Sequence, residues 1–255
     1  MKQRARKLTD QPWAIAHRGD SASYPENTRS SFRSALAAKV NAIELDVRLS
    51  RDGVPLICHD ANLSRYGGSR QSIRMMTAKQ ACAVDVGRWK SPKFSGETLM
   101  TLSEVLTLCR DIVVCIELKA TAGRGAASYH AKLVKAVVAV VQQERAQHRV
   151  QFLCFHPGVL RLCARFAQDI HRVRNCERLP RDYAAWLKRQ QGCTAVCFDR
   201  RLVTVNLVAA AQALGLLVFS YSANDKNAAN HLLRCGVDGI LSDRSEWLVS
   251  YLRKN

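Results

Sequence analysis

Residues 41–60 read Asn-Ala-Ile-Glu-Leu-Asp-Val-Arg-Leu-Ser-Arg-Asp-Gly-Val-Pro-Leu-Ile-Cys-His-Asp. Two short runs rich in β-branched and apolar residues, 42–47 and 54–59, flank Asp52-Gly53, a dipeptide that favours the tight turn of a hairpin. Side chains two apart on a strand point to the same side, so Glu44 and Asp46 aim together. If the two runs pair antiparallel around a two-residue turn, Asp46 lies opposite His59.

Outward from this stretch, further strand-like runs occur at 13–17, 112–118, 150–155, 171–175, 194–199, 216–222 and 238–242. They alternate with amphipathic segments, which predicts βα units around a parallel sheet. Asn27-Thr28 can cap a helix whose Phe32, Ala35, Leu36 and Val40 share a face, segments 128–144 and 203–214 follow the same logic, and Gly215 and Gly236 sit where helices stop. A chain of 255 residues with 47% apolar positions suits a single (β/α)8 barrel domain spanning residues 1–255. Nine strand-like runs compete for its eight places. Either 54–59 is a hairpin arm outside the barrel, or 171–175 (His-Arg-Val-Arg-Asn), polar for a barrel interior, is not a barrel strand. Residues 61–100, too long for an ordinary βα loop, predict a small insertion at the barrel rim.

The net charge of +18, from 39 Lys and Arg against 21 Asp and Glu, favours anionic ligands without naming one. Ten cysteines lie scattered through apolar stretches with no C-x-x-C pair, as expected of buried thiols in a reducing compartment. The N-terminus is basic (Lys2, Arg4, Arg6, Lys7), but the apolar run Trp13 to Ala16 ends at His17-Arg18, too short for a signal-peptide core. No run reaches the length of a membrane span. A cytoplasmic protein without membrane insertion is expected.

Two buried carboxylates repel unless something positive lies between them, and burying them unpaired costs several kcal/mol. Oxygen-only clusters suit a hard cation, Mg²⁺ or Ca²⁺. Glu44-x-Asp46 alone also fits a solvated edge or an ion pair. Glu117-Leu118-Lys119, ending an apolar run, adds a third carboxylate and a lysine on one face, and could equally be an internal ion pair. His17-Arg18-Gly19 and His59-Asp60 end strands, where a barrel keeps its catalytic mouth. Cleaving a phosphodiester needs a base, an acid and positive charge on the non-bridging oxygens. Histidines, a divalent metal and Arg or Lys supply these.

The motifs form an ordered series: His17-Arg18-Gly19, Pro25-Glu26-Asn27-Thr28, Glu44-x-Asp46, Asp52-Gly53, His59-Asp60, Leu63-x-Arg65, Asp85-x-Gly87-x-Trp89, Leu102-x-Glu104-Val105, Glu117-x-Lys119, and Gly236-Val237-Asp238-Gly239-Ile240 with Asp243. In them the chain resembles the glycerophosphodiester phosphodiesterase family, most closely its cytosolic bacterial members. The resemblance implies a (β/α)8 barrel with an insertion, one divalent cation on Glu44, Asp46 and Glu117, and His17 and His59 as acid and base. It also implies phosphate contacts from Arg18 and Lys119, and a glycerol pocket to which Trp89, Tyr66, Phe94 and Tyr221 are candidates. Four places depart from the family pattern. Asp20 stands where a small residue is common, putting an extra negative charge near the phosphate loop. Met100 replaces a proline, Tyr221-Ser222-Ala223-Asn224 stands for W-T-V-N, and Ser242-Asp243 for T-D.

Two rival readings use other features. A phospholipase of C or D type acting on lysophospholipids would need an apolar rim, and the large side chains at the rim form no lipid-inserting stripe. A polyanion binder would use Arg161, Arg165, Arg172, Arg174, Arg178, Arg181, Lys188 and Arg189. No nucleic-acid motif, aromatic platform or zinc module accompanies that stretch, so a small-molecule glycerophosphodiester is the expected ligand, not nucleic acid.

Overall fold

A computed structural model describes residues 11–190 and 192–254; the basic positions Lys2, Arg4, Arg6 and Lys7 lie outside them. The strands are β1 (Trp13–His17), β2 (Ala42–Leu49), β3 (Pro55–Ile57), β4 (Val113–Leu118), β5 (Val150–Cys154), β6 (His171–Cys176), β7 (Ala195–Asp199), β8 (Leu217–Tyr221) and β9 (Gly239–Ser242). Eight of them run parallel, each bonded to the next, and β1 pairs with both β9 and β2, so the sheet closes into a barrel. β3 stands outside it, antiparallel to β2.

Helices between the strands cover the barrel: α1 (Arg29–Ala37), α2 (Ala78–Cys82), α3 (Leu102–Leu108), α4 (Ala126–Gln143), α5 (Pro157–Phe166), α6 (Tyr183–Lys188), α7 (Val205–Ala213), α8 (Lys226–Cys235) and α9 (Ser245–Leu252). Thr28 caps α1, its side chain accepting from the Ser31 N–H while the Ser31 side chain accepts from the Thr28 N–H. Gly236 ends α8 in the left-handed conformation. Among the described residues no helix is long and apolar enough to cross a membrane.

The hairpin reading is therefore the correct one, and 171–176 is a barrel strand. Its polarity has a local cause. The Arg172 guanidinium donates to the carbonyls of Ala167, Ile170 and Gly192, and that of Arg174 to Cys154, Phe155 and Asn175. Both arginines satisfy backbone acceptors at loop ends, so two members of the basic stretch serve the fold itself.

The hairpin register differs from expectation by one residue. Val47 pairs with Ile57 and Leu49 with Pro55, and the Cys58 N–H donates to the Asp46 carbonyl, so Asp46 faces Cys58 rather than His59. The turn has three residues, Arg51-Asp52-Gly53, closed by the Ser50 N–H to the Val54 carbonyl. Gly53 takes φ +82°, the left-handed residue such a loop requires.

Two apolar layers result from the period-two alternation of the strands. The outward set (Ile43, Leu45, Val47, Val114, Ile116, Phe152, Val196, Phe198, Val218, Ile240) packs under the helices. The inward set (Ile15, Ala42, Cys115, Leu153, Val173, Cys197, Phe219, Leu241) fills the barrel. Gly239 leaves room there, because a Cβ at this position would lie 2.7 Å from the Phe219 ring. Residues 61–100 pack Leu63, Ile73, Met76, Ala81, Val86 and Leu99 with Leu56 and Cys58 into a separate apolar cluster.

Candidate active site

Continuing the inward phase by two residues takes most of the barrel strands from their apolar filling to a polar end. Ile15 leads to His17, Ala42 to Glu44 and Asp46, Cys115 to Glu117 and Lys119, Val173 to Asn175, Phe219 to Tyr221 and Leu241 to Asp243. Their ends are the C-terminal mouth of the barrel. Glu44, Asp46 and Glu117 offer carboxylate oxygens within 4.8 Å of one another, with Glu44 only 2% and Asp46 only 1% exposed. The cluster could coordinate a divalent cation.

Two cations face these three acids. Lys119 Nζ lies 2.6 Å from Glu117 and 3.2 Å from Asp46. Arg18 pairs its Nε with Asp46 at 3.2 Å, and its backbone N–H donates to Glu44 at 3.2 Å. Asn27 donates to Asp46 at 2.9 Å and Asn175 to Glu117 at 3.1 Å. Arg18 and Asn27 both hold φ of +58°, an uncommon conformation for side-chain-bearing residues that concentrates at functional sites. Gly19, at φ +79°, lies so close over Ser31 that a Cβ would come within 2.5 Å of its Oγ.

The charges are unevenly satisfied. Burial, followed by repulsion from Asp46, pushes the Glu44 carboxyl up to about 8. Burial also acts to raise Asp46, yet Lys119 and then Arg18 hold it well below the usual carboxylate range. Each histidine has an acid on Nδ1: Asp243 on His17 at 2.6 Å and Asp60 on His59 at 2.8 Å. Burial acts to lower His17, but the Asp243 hydrogen bond and the Glu44 charge raise it overall. Burial lowers His59, with Lys119 and Arg18 adding to it against the pull of Asp46. The Arg48 guanidinium fixes the His59 carbonyl at 2.9 and 2.7 Å.

The aromatic candidates fall in different places. Tyr66 and Trp89 meet at a tilt of 58°, centroids 5.8 Å apart, and the Trp89 indole N–H donates to the Val86 carbonyl. Phe94 packs on Tyr24. Tyr221 meets Phe155 edge-on at 6.2 Å, its hydroxyl buried without a partner. Asp20 follows Gly19 on the loop, but its carboxylate is buried and turned inward, accepting from Ser34 Oγ at 2.9 Å and the Ser245 N–H at 3.2 Å, and so ties α1 to α9. Sequence reasoning assigned no partner to Asn27, Asp60 or Asp243, although all three stand in the motif series. Asn175 was missed; its only signal was a polar residue at the end of an otherwise interior strand.

Comparison with known proteins agrees with this geometry. Residues 17–247 match the model of the glycerophosphoryl diester phosphodiesterase family. A glycerophosphodiester phosphodiesterase of Caldanaerobacter subterraneus is 29% identical over 94% of this chain and 97% of its own length. A phosphodiesterase of Oleispira antarctica, solved in complex with its product sn-glycerol-3-phosphate, superposes with a TM-score of 0.86 at 27% identity, covering 98% of this chain and 99% of that one. A Silicibacter pomeroyi structure described as a glycerophosphoryl diester phosphodiesterase gives 0.85 at 26% identity, covering 98% and 97%.

Proposed function

The chain belongs to the glycerophosphoryl diester phosphodiesterase family, and from that footing we propose that it hydrolyses glycerophosphodiesters such as glycerophosphocholine and glycerophosphoethanolamine to sn-glycerol 3-phosphate and an alcohol. The observation that carries this reading is the convergence of Glu44, Asp46 and Glu117 within 4.8 Å, beside two acid-paired histidines at the mouth of one barrel.

The donor set fits a hard divalent cation, Mg²⁺ or Ca²⁺. All three ligands are carboxylates, and a carboxyl pushed up to about 8 marks a cluster that its two cationic neighbours leave under-neutralised. Glu44, Asp46 and Glu117 would hold the ion, which when bound supplies Lewis-acid polarisation of a phosphoryl oxygen.

The remaining chemistry belongs to the chain's own side chains. Arg18 and Lys119 set positive charge against the non-bridging oxygens, where it strengthens as the transition state forms. With Nδ1 of each histidine engaged by an aspartate, Nε2 is the atom that exchanges protons with substrate. His17, whose protonated form Asp243 favours against burial, donates to the departing alcohol oxygen. His59, whose neutral form is favoured by burial and then by Lys119 and Arg18, accepts the proton of the nucleophile. Tyr221 and Trp89 form walls of the glycerol pocket. Residues 1–255 make one catalytic domain with 61–100 as its insertion, and the protein works in the cytoplasm, a compartment that suits its ten unpaired cysteines.

A coupled assay of glycerol 3-phosphate release across several glycerophosphodiesters, with and without chelator, tests the reading. Activity should vanish on exhaustive chelation and return with Mg²⁺ or Ca²⁺. His17→Ala and His59→Ala should each lower kcat by at least ~10²-fold; near-wild-type turnover in either variant removes the two-histidine assignment.

A further inference from the structure

Arg65 lies outside the metal cluster and outside the histidine pair, on the segment that follows β3, yet it joins the two. Its Nη2 donates to Glu26 Oε1 at 2.6 Å, and its Nε pairs with Asp60 Oδ2 at 2.8 Å. Each acid also holds a group of the candidate site. Asp60 Oδ1 bonds His59 Nδ1 at 2.8 Å, and Glu26 accepts from Arg18 Nη1 at 3.2 and 3.3 Å. A single guanidinium thus connects the acid behind a histidine to the acid behind the arginine that reaches Asp46.

The guanidinium is itself clamped. It lies 4.8 Å from the Tyr66 ring centroid and 4.9 Å from that of Trp89, and its Nη2 also donates to Tyr66 Oη at 2.7 Å. Cation–π contact on two rings fixes the plane of the fork, and a planar fork holds both carboxylates at set angles, whereas an ammonium has no plane to fix. Trp89 remains 39% exposed, leaving surface for substrate.

We infer that Arg65 is a positioning residue: held by Tyr66 and Trp89, it orients His59 through Asp60 and Arg18 through Glu26. The inference rests on the proposed reaction. Without Arg65, Glu26 keeps only Arg18 and Asp60 only His59, and each loses the second contact that sets its rotamer. His59 and Arg18 are then free to turn away from the geometry that attack requires, and small misplacements of this kind are costly.

The experiment compares kcat for glycerophosphocholine in the wild type, Arg65→Gln, Arg65→Lys, Glu26→Gln/Asp60→Asn, and that pair combined with Arg65→Gln. Arg65→Gln should lose about 10- to 100-fold in kcat, and Arg65→Lys should recover part of the loss. In the Glu26→Gln/Asp60→Asn background the Arg65→Gln loss should shrink below about 3-fold, since the acids through which Arg65 acts are gone. A loss of undiminished size in that background, or full activity in Arg65→Gln, overturns the inference. If Arg65→Gln fails to fold, Arg65→Lys takes its place in the same cycle. An inactive wild type would count against the proposed reaction alone. A crystal structure of the Arg65 variant then decides: displaced His59–Asp60 and Arg18–Glu26 contacts support positioning, and both contacts unchanged overturn it.

Discussion

Asp243 Oδ1 lies 2.6 Å from His17 Nδ1 across 226 positions of sequence, a contact that exists because β1 and β9 close the barrel. Asn224 Nδ2 and Ser21 Oγ hold the same aspartate at 2.6 and 3.2 Å, so its carboxylate is fixed before the imidazole meets it. Hydrogen bonding and the charge of His17 outweigh burial and bring Asp243 down to about 2.

Asp243→Asn should therefore lower kcat by about 10²-fold, the scale of a mis-set acid–base group. It should also move the alkaline limb of the kcat–pH profile to lower pH. Asp243 raises the His17 pKa, and an acid must stay protonated to act, so removing the charge lets His17 lose its proton earlier. Stopped assays from pH 5 to 9 check both effects.

Stability of the chelated protein should fall as pH rises from about 4.5 to about 8. The Glu44 carboxyl moves from its ordinary 4.5 to about 8 on folding, so the folded chain binds the extra proton across that window and loses stability as it is removed. His17, also raised, acts with the same sign above its ordinary 6.5, while the lowered His59 acts oppositely below it. Thermal melts in chelator should show the decline, and Glu44→Gln should flatten it.

Asn175→Ala should weaken Mg²⁺ binding by about 10- to 100-fold, the usual cost of removing a group that orients a ligand. Asn175 donates to Glu117 Oε2 at 3.1 Å, while Lys119 takes Oε1. Calorimetric titration with Mg²⁺ measures the loss, and an unchanged affinity would mean that Lys119 alone sets the Glu117 rotamer.

Gly19→Ala should destabilise the fold by about 1–3 kcal/mol, the cost of forcing a side chain into the left-handed region, with a further penalty from the 2.5 Å approach to Ser31 Oγ. Ser31 Oγ donates to the Arg18 carbonyl at 3.2 Å, so the strain reaches Arg18. Thermal melting reads the first effect, and a raised KM reads the second.

Most of the strands could be read from the chain because parallel barrel strands are covered on both faces and so stand out as short apolar runs, but whether 54–59 or the polar 171–175 lay outside the barrel could not. All nine runs are strands, and the polar ends of 13–17, 42–47 and 112–118 point to the mouth through period two alone. His17, Glu44, Asp46 and Glu117 were legible for that reason: His17, Glu44 and Glu117 each sit two positions after an apolar residue, and Asp46 two positions after Glu44. The Asp46–His59 register was not legible, since Asp52-Gly53 suits both a two- and a three-residue turn, and the choice depends on Ser50 closing onto Val54.

By itself the sequence determined which residues carry charge and which side of each strand they occupy, because backbone alternation is local and needs no partner. Tertiary structure alone decided the pairings: Asp243 behind His17, Asn175 behind Glu117, Arg65 between Glu26 and Asp60, and Asp20 turned inward to Ser245. Apart from Arg65–Asp60, five positions apart, each pairing spans 39 to 226 positions, and such contacts depend on how the barrel closes. Closure is a property of all eight strands together, set by their shared hydrogen-bond stagger, and no single segment encodes it.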